Sequence, residues 1–408
     1  MKNTFRILAG LAIAALALSA CKKDNGDGSL SAEESALKAA VEEYVPAVIY
    51  EIYGNLADKT TELCDLLANY KKDGVAALTD AKVEEVCKTF LAAREWWEKS
   101  EAFLFGAASA YGIDPHIDSW PLDKDKLAKE LSNSTVIKDL DDEGAGAVDE
   151  VGTANLGFHG IEFILFRGGA PRKAAAFAAY DTDAAMVPYG ISGAVELIYA
   201  AAVAEDLRNY CWELQAAWDP KAPSDRVEYV EDELELNTTL DSGLTYGEDL
   251  LSSASPGSTN STWQRAVSRI LVAGCSNIAS EVANSKIASA YNHETEEDAD
   301  YIESPYSKKS YLDFYNNIQS IVYTLYGKEG ASAPSKKCIY SVLVNNGYKG
   351  ASDLKAALEG AVASLQACLD YGKAFVDEPT AKCAGEAIEA INELDDELNK
   401  AAGWVENL

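Results

Sequence analysis

The chain has 408 residues, 66 acidic against 35 basic, and a formal charge of −31 at pH 7. Charge of that sign and size repels nucleic acid and anionic membrane, favours solubility and gathers cations around the protein. The sequence has no Gly-rich phosphate loop before a helix, no GxSxG elbow and no basic patch interleaved with aromatics, which removes nucleotide enzymes, elbow-type serine hydrolases and nucleic-acid binders.

Residues 1–20 carry Lys2 and Arg6 ahead of an apolar run too short for a membrane span, and they predict an export signal. Its end, "LSAC", resembles the bacterial lipoprotein signal, in which the cysteine, here Cys21, takes the lipid. Removing the signal takes away two basic residues and no acidic one, so the mature charge becomes −31 − 2 = −33. Residues 21–31 then form the lipidated N-terminus and a polar leash. The stretch after Cys21, "KKDNGDG", with Asp24 and Asp27, also resembles a surface-export signal. The expected location is the cell envelope, lipid-anchored to the outer membrane at its periplasmic face or at the cell surface. No later window stays apolar for the roughly eighteen residues that a span requires.

Beyond the leash, apolar residues recur at three and four, the helical period. Helices are predicted over 33–56, with Pro46 as a kink, and over 58–71, 80–105, 124–133, 148–166 and 191–218. The second half continues with 262–291, 310–326, 336–346, 351–371 and 380–402. Almost nothing alternates as a strand would, so the fold class is all-α. Gly-, Pro-, Ser- and Asp-rich breaks fall at 112–123, 167–173, 219–225, 252–261 and 327–335. The break at 219–225 divides the mature chain into helical halves, 32–222 and 223–408, each of ordinary domain size.

Eight cysteines are present, and setting Cys21 aside leaves seven, an odd number. Export permits disulfides, with Cys64–Cys87 or a pair among Cys338, Cys368 and Cys383 as candidates, beside the plainer reading of buried thiols. No CxxC spacing suggests a thiolate zinc site.

Four stretches could carry chemistry. In "AREWWEKSEAFLFG", residues Arg94, Trp97, Glu98 and Glu101 share one helical stripe, which is either a surface ladder or the wall of a cleft. The stiff loop 115–121 that follows offers Asp118. Residues 139–150 meet most of the calcium-loop spacing, although Glu143 is long for its place, and an exposed acidic loop is the default reading. In "LGFHGIEFILF", His159 and Glu162 lie three apart on one helix face, as a satisfied core pair or as metal ligands. His116 and His293 are the only other histidines and there is no HExxH, so a zincin site cannot be built. Further ligands would come mainly from carboxylates on distant helices, and oxygen donors with one imidazole suit iron.

Together these blocks resemble the imelysin family, peptidase family M75. "GFHGIE" at 157–162 resembles its GxHxxE motif, with Gly160 where alanine is common. "REWWEKSEAFLFG" followed by "HIDSWPLD" resembles its first-half signature, and "ESPYSKKSYLDFYNNIQSIVYTLYG" at 303–327 its second-half block. The resemblance implies two related helical bundles packed side by side. It also implies a metal at His159 and Glu162, with Glu101 and Asp118 as added ligands. Iron is the expected ion, with zinc or calcium as alternatives. Some relatives are named as metallopeptidases and others resemble iron-uptake lipoproteins. The expected function is therefore an iron-binding, iron-uptake lipoprotein, held to the membrane through Cys21 and passing iron to a transport partner protein. The alternatives are a metallopeptidase, with Glu98 as its general base, and a non-catalytic interaction or scaffold lipoprotein.

Overall fold

The computed structural model describes residues 30–408; the expected export signal, Cys21 and most of the leash lie outside the described residues. Ser31 and Glu34 form a capping box that starts the first helix, α1 (Ala32–Tyr44). Pro46 cannot donate to the helical ladder, and there the chain loosens into a π-helical turn, Val45–Tyr50, rather than breaking. It re-enters α-helix at once as α2 (Glu51–Asp73), so the two predicted helices 33–56 and 58–71 are one rod that ends at Gly74.

Thr79 caps α3 (Asp80–Glu98), whose buried face includes Phe90, Arg94, Trp97 and Glu98. The predicted helix 80–105 stops early, and Glu101 sits in a separate 3-10 turn, Glu101–Phe103. The predicted helix 148–166 is also shorter than expected. Gly152 interrupts it at φ +84, leaving 3-10 segments Gly144–Val151 and Thr153–Asn155 ahead of α4 (Gly157–Leu165). All nine residues of α4 are buried. Residues 139–143 belong to the helix Ser134–Glu143 and the next eight to a 3-10 segment, so no twelve-residue calcium loop forms. The break at 167–173 holds a small antiparallel hairpin, Phe166–Arg167 with Ala170–Pro171.

The long helix α5 (Gly193–Trp218) packs on α2 and α4, and α2 packs on α3. In the second half, α6 (Trp263–Arg269) continues through π turns Ile270–Ser276 and Val282–Ile287 to Asn292. It lies against α9 (Lys382–Val405), which pairs with α8 (Ala351–Asp370), and α8 packs on α7 (Ser310–Tyr326). The halves meet where α3 touches α7 and where the 101–103 turn touches the π turn at 270–276. No helix among the described residues is long and apolar enough to cross a membrane.

The seven described cysteines are free thiols, in keeping with the plainer reading, and neither the candidate Cys64–Cys87 bridge nor one among Cys338, Cys368 and Cys383 is formed. Cys87 instead points at the Leu165 carbonyl at 3.6 Å. Cys368 and Cys383 interact as thiols without a bond between them.

Candidate metal centre

Two glycines set the position of α4. Gly157 has φ +62, and a Cβ there would fall on the Ile117 backbone. Only a residue without a side chain lets the 113–118 segment lie flat on the helix start. Asp118 is thereby brought against His159, whose Nε2 lies 3.1 Å from Asp118 Oδ1. Gly160 faces Tyr199, whose hydroxyl donates to the Asn155 carbonyl.

Arg94 occupies the middle of the cluster. Its Nη1 donates to Asp118 Oδ1, and its Nη2 donates to Glu303 Oε1 at 2.6 Å and lies 2.5 Å from Glu98 Oε1. Asp313 Oδ2 stands 3.7 Å from Nε. The guanidinium also lies over the Phe158 ring at 5.2 Å, and that ring stacks on Trp97. Trp97 Nε1 donates to Asp118 Oδ2 at 2.7 Å, so both oxygens of Asp118 are engaged. Asn317 donates to Glu98 Oε2.

Glu162 turns toward the opposite edge of the imidazole. Its Oε2 lies 3.5 Å from His159 Nδ1, and its Oε1 accepts from the Ser307 backbone at 2.7 Å. Lys286, 1% exposed, lies 3.2 Å from Glu303 Oε1 and 3.8 Å from Glu101 Oε1, with the Trp120 ring 5.2 Å from its ammonium.

Glu98, Glu101, Asp118, Glu162, Glu303 and Asp313 are thus buried, and Arg94, Lys286 and His159 are buried among them. Burial would raise the Asp118 carboxyl, but Arg94 and His159 hold it well below its ordinary range. Burial would lower the His159 imidazolium, yet Asp118 and Glu162 push it up to about 9. Burial drives Glu98 and Glu101 well up, and lifts Asp313 to about 7 against the pull of Arg94. Asp114, half-buried beside them, rises to about 7 through burial and then through Asp118 and Glu281. The centre relieves its excess negative charge by holding protons.

The donor set fits a cation. Ligand atoms of Asp118, His159 and Glu303 lie within 4.8 Å of one another. Glu303 Oε2 is buried without a hydrogen-bond partner, a costly condition that a cation would relieve, while His159 Nε2 and Glu162 Oε2 have only their contacts at 3.1 Å and 3.5 Å. Of the residues singled out in the sequence, Glu98, Asp118, His159 and Glu162 converge on Arg94 or on the imidazole, while Glu101 faces Lys286 and keeps a ligand atom within 4.8 Å of those of Glu98 and Asp118. His116 is elsewhere, bonded to Asp206 at 2.8 Å, and His293 is exposed. Sequence reasoning missed Glu303, Asp313, Asn317 and Lys286. Glu303 opens the second-half block and was open to notice there, whereas Lys286 had no signal.

The family model described as Imelysin, peptidase M75, matches residues 49–400. Iron-regulated protein A of Synechococcus elongatus is 29% identical over 131 residues, 32% of this chain and 32% of that relative, so the match spans about a third of its length. The fold is similar to the crystal structure of a Parabacteroides distasonis protein described as an iron-regulated protein A precursor. That likeness has a TM-score of 0.69 and 21% identity, covering 94% of this chain and 97% of that one. An imelysin-like protein from Psychrobacter arcticum superposes with a TM-score of 0.58 at 12% identity, over 93% of this chain and 98% of that one.

Proposed function

The chain belongs to the imelysin family, and from that premise we propose that it is an envelope lipoprotein whose buried centre binds iron through Asp118, His159 and Glu303. The carrying observation is that Asp118, His159 and Glu303 bring ligand atoms within 4.8 Å of one another, with Glu303 Oε2 buried and without a hydrogen-bond partner. Bound there, a cation would supply the positive charge that this carboxylate-rich centre lacks. Two carboxylates and one imidazole suit iron better than a thiolate-seeking ion, with zinc and calcium as alternatives. The names of the relatives, iron-regulated protein A, support the same choice.

Each residue has a definable task. His159 ligates as neutral imidazole, so binding displaces the proton it otherwise keeps. Glu162, held by the Ser307 backbone, fixes the ring through Nδ1. Arg94 keeps Asp118 ionised and ties it to Glu303. Lipid on Cys21 anchors the protein to the outer membrane, and a transport protein receives the iron.

The metallopeptidase alternative needs a general base that is free to take a proton. Glu98 is the carboxylate expected in that role, but Arg94 and Asn317 engage its two oxygens and burial keeps its pKa high. A binder needs only the ligands, and binding is the reading favoured here.

The test is titration of the purified protein with ferrous, ferric, zinc and calcium ions, by calorimetry and elemental analysis, beside His159→Ala and Glu303→Gln. Stoichiometric iron binding that both variants lose is the expected result. No binding by the wild type would return His159 and Glu162 to the role of core hydrogen-bonding groups in a scaffold lipoprotein. Peptide cleavage that depends on metal and on Glu98 would favour the peptidase.

A further inference from the structure

Asp118 belongs to a second group of possible ligand atoms. It also lies with Glu98 and Glu101, again with one atom from each within 4.8 Å of the others. All three are buried, and while Arg94 Nη2 meets Glu98 Oε1 at 2.5 Å, the ion-pair partner of Glu101 is Lys286. An acidic group of this kind, taken out of water, demands positive charge.

A cation is already close by. The Lys286 ammonium stands 3.8 Å from Glu101 Oε1 and 3.2 Å from Glu303 Oε1, so it spans the two halves of the cluster. It comes from the second π turn of its helix, Val282–Ile287, a local widening often found where a side chain is re-aimed at a functional site. Trp120 lies over its outer side, 5.2 Å from the ammonium to the ring centre. An ammonium is a compact point charge with three donors and no acceptor, so it can fill the place of a small cation among carboxylates.

We propose that Glu98, Glu101 and Asp118 form a second cation position, that the Lys286 ammonium serves as its cation in this chain, and that Lys286 thereby limits the centre to one metal ion. The inference rests on the reading that the His159 side binds a cation. A divalent ion beside Glu101 would meet the fixed charge of Lys286 at close range, and repulsion there excludes it. Without Lys286, Glu101 and Glu303 each lose a counter-charge and a free cation can replace it.

The experiment counts manganese(II) bound at saturation by the purified wild type, Lys286→Met and Lys286→Arg, using native mass spectrometry and elemental analysis. Lys286→Met should take one more equivalent than the wild type, and Lys286→Arg should take no more. The double variant Lys286→Met, Glu101→Gln should lose the added ion. Circular dichroism melts identify folded variants, and Lys286→Gln, which keeps a donor for Glu303, replaces the methionine variant should that one not fold. No gain on removing Lys286, or two equivalents already in the wild type, overturns the inference. A wild type that binds none defeats the iron reading instead, because the effect of Lys286 is read as a difference between proteins.

Discussion

Arg94 Nη2 and Glu303 Oε1 lie 2.6 Å apart although 209 positions separate them in the chain. With Asp118 on Nη1, this bond makes one guanidinium the junction between α3, the loop after it and the segment leading into α7. Removing it leaves several carboxylates buried without their counter-charge. Arg94→Met should therefore lose about 3–5 kcal/mol in urea denaturation. Arg94→Lys should recover only part of that, since an ammonium cannot reproduce the forked contact. A methionine variant within about 0.5 kcal/mol of the wild type would show that the junction is not structural.

Glu162 separates two ideas of how the imidazole is used. Its Oε2 faces Nδ1 and its other oxygen is tied to the Ser307 backbone, which is how a residue that orients a ligand is held. Glu162→Gln should weaken iron binding about 10- to 100-fold with little change in melting temperature. A loss as complete as that of His159→Ala would make Glu162 a ligand in its own right.

Glu213 gives a pH test away from the centre. Burial pushes its carboxyl from an ordinary 4.5 to about 7, and one of its oxygens is buried without a partner. The folded protein holds this proton more tightly than the unfolded chain does. Stability present below the ordinary value is therefore lost as pH rises through about 7, by about 3 kcal/mol. Glu213→Gln has no charge to desolvate. Its stability relative to the wild type should rise between acid and mildly alkaline pH, read from paired urea curves. A difference independent of pH would refute the assignment.

The sequence reading succeeded where periodicity and chemistry are local. Helix 310–326 matches α7 residue for residue, and Arg94, Trp97 and Glu98 of the predicted stripe are buried on α3, whereas Glu101 falls in the 3-10 turn beyond it. It failed where the outcome depends on long-range contact. Gly152 and Gly157 ended the predicted helix 148–166 because a turn and a close backbone approach are needed there, and neither leaves a periodic trace. At Pro46, read as a kink, the helix passes through a π turn and runs on without a break into α2. Glu303 and Lys286 were missed because their partners lie far along the chain and their neighbours in sequence carry no ligand spacing.

Gly160 offers a sharper test of how tightly α4 is seated. A Cβ at this position would strike the Tyr199 hydroxyl and come within 2.6 Å of the Asn155 carbonyl oxygen. The hydroxyl is there because it donates to that same carbonyl, so one hydrogen bond fills the space that a methyl would need. Gly160→Ala should cost about 1–3 kcal/mol, the usual range for forcing a methylene-sized group into a packed core. Part of that cost belongs to the hydroxyl and part to the carbonyl. In a Tyr199→Phe background the hydroxyl is gone, so the alanine should cost less, with a coupling of about 0.5–3 kcal/mol between the two changes. The carbonyl remains, so the rescue should be incomplete. If alanine costs the same in both backgrounds, Tyr199 does not set the space at position 160, and the seating of His159 one residue earlier depends on the Asn155 carbonyl alone.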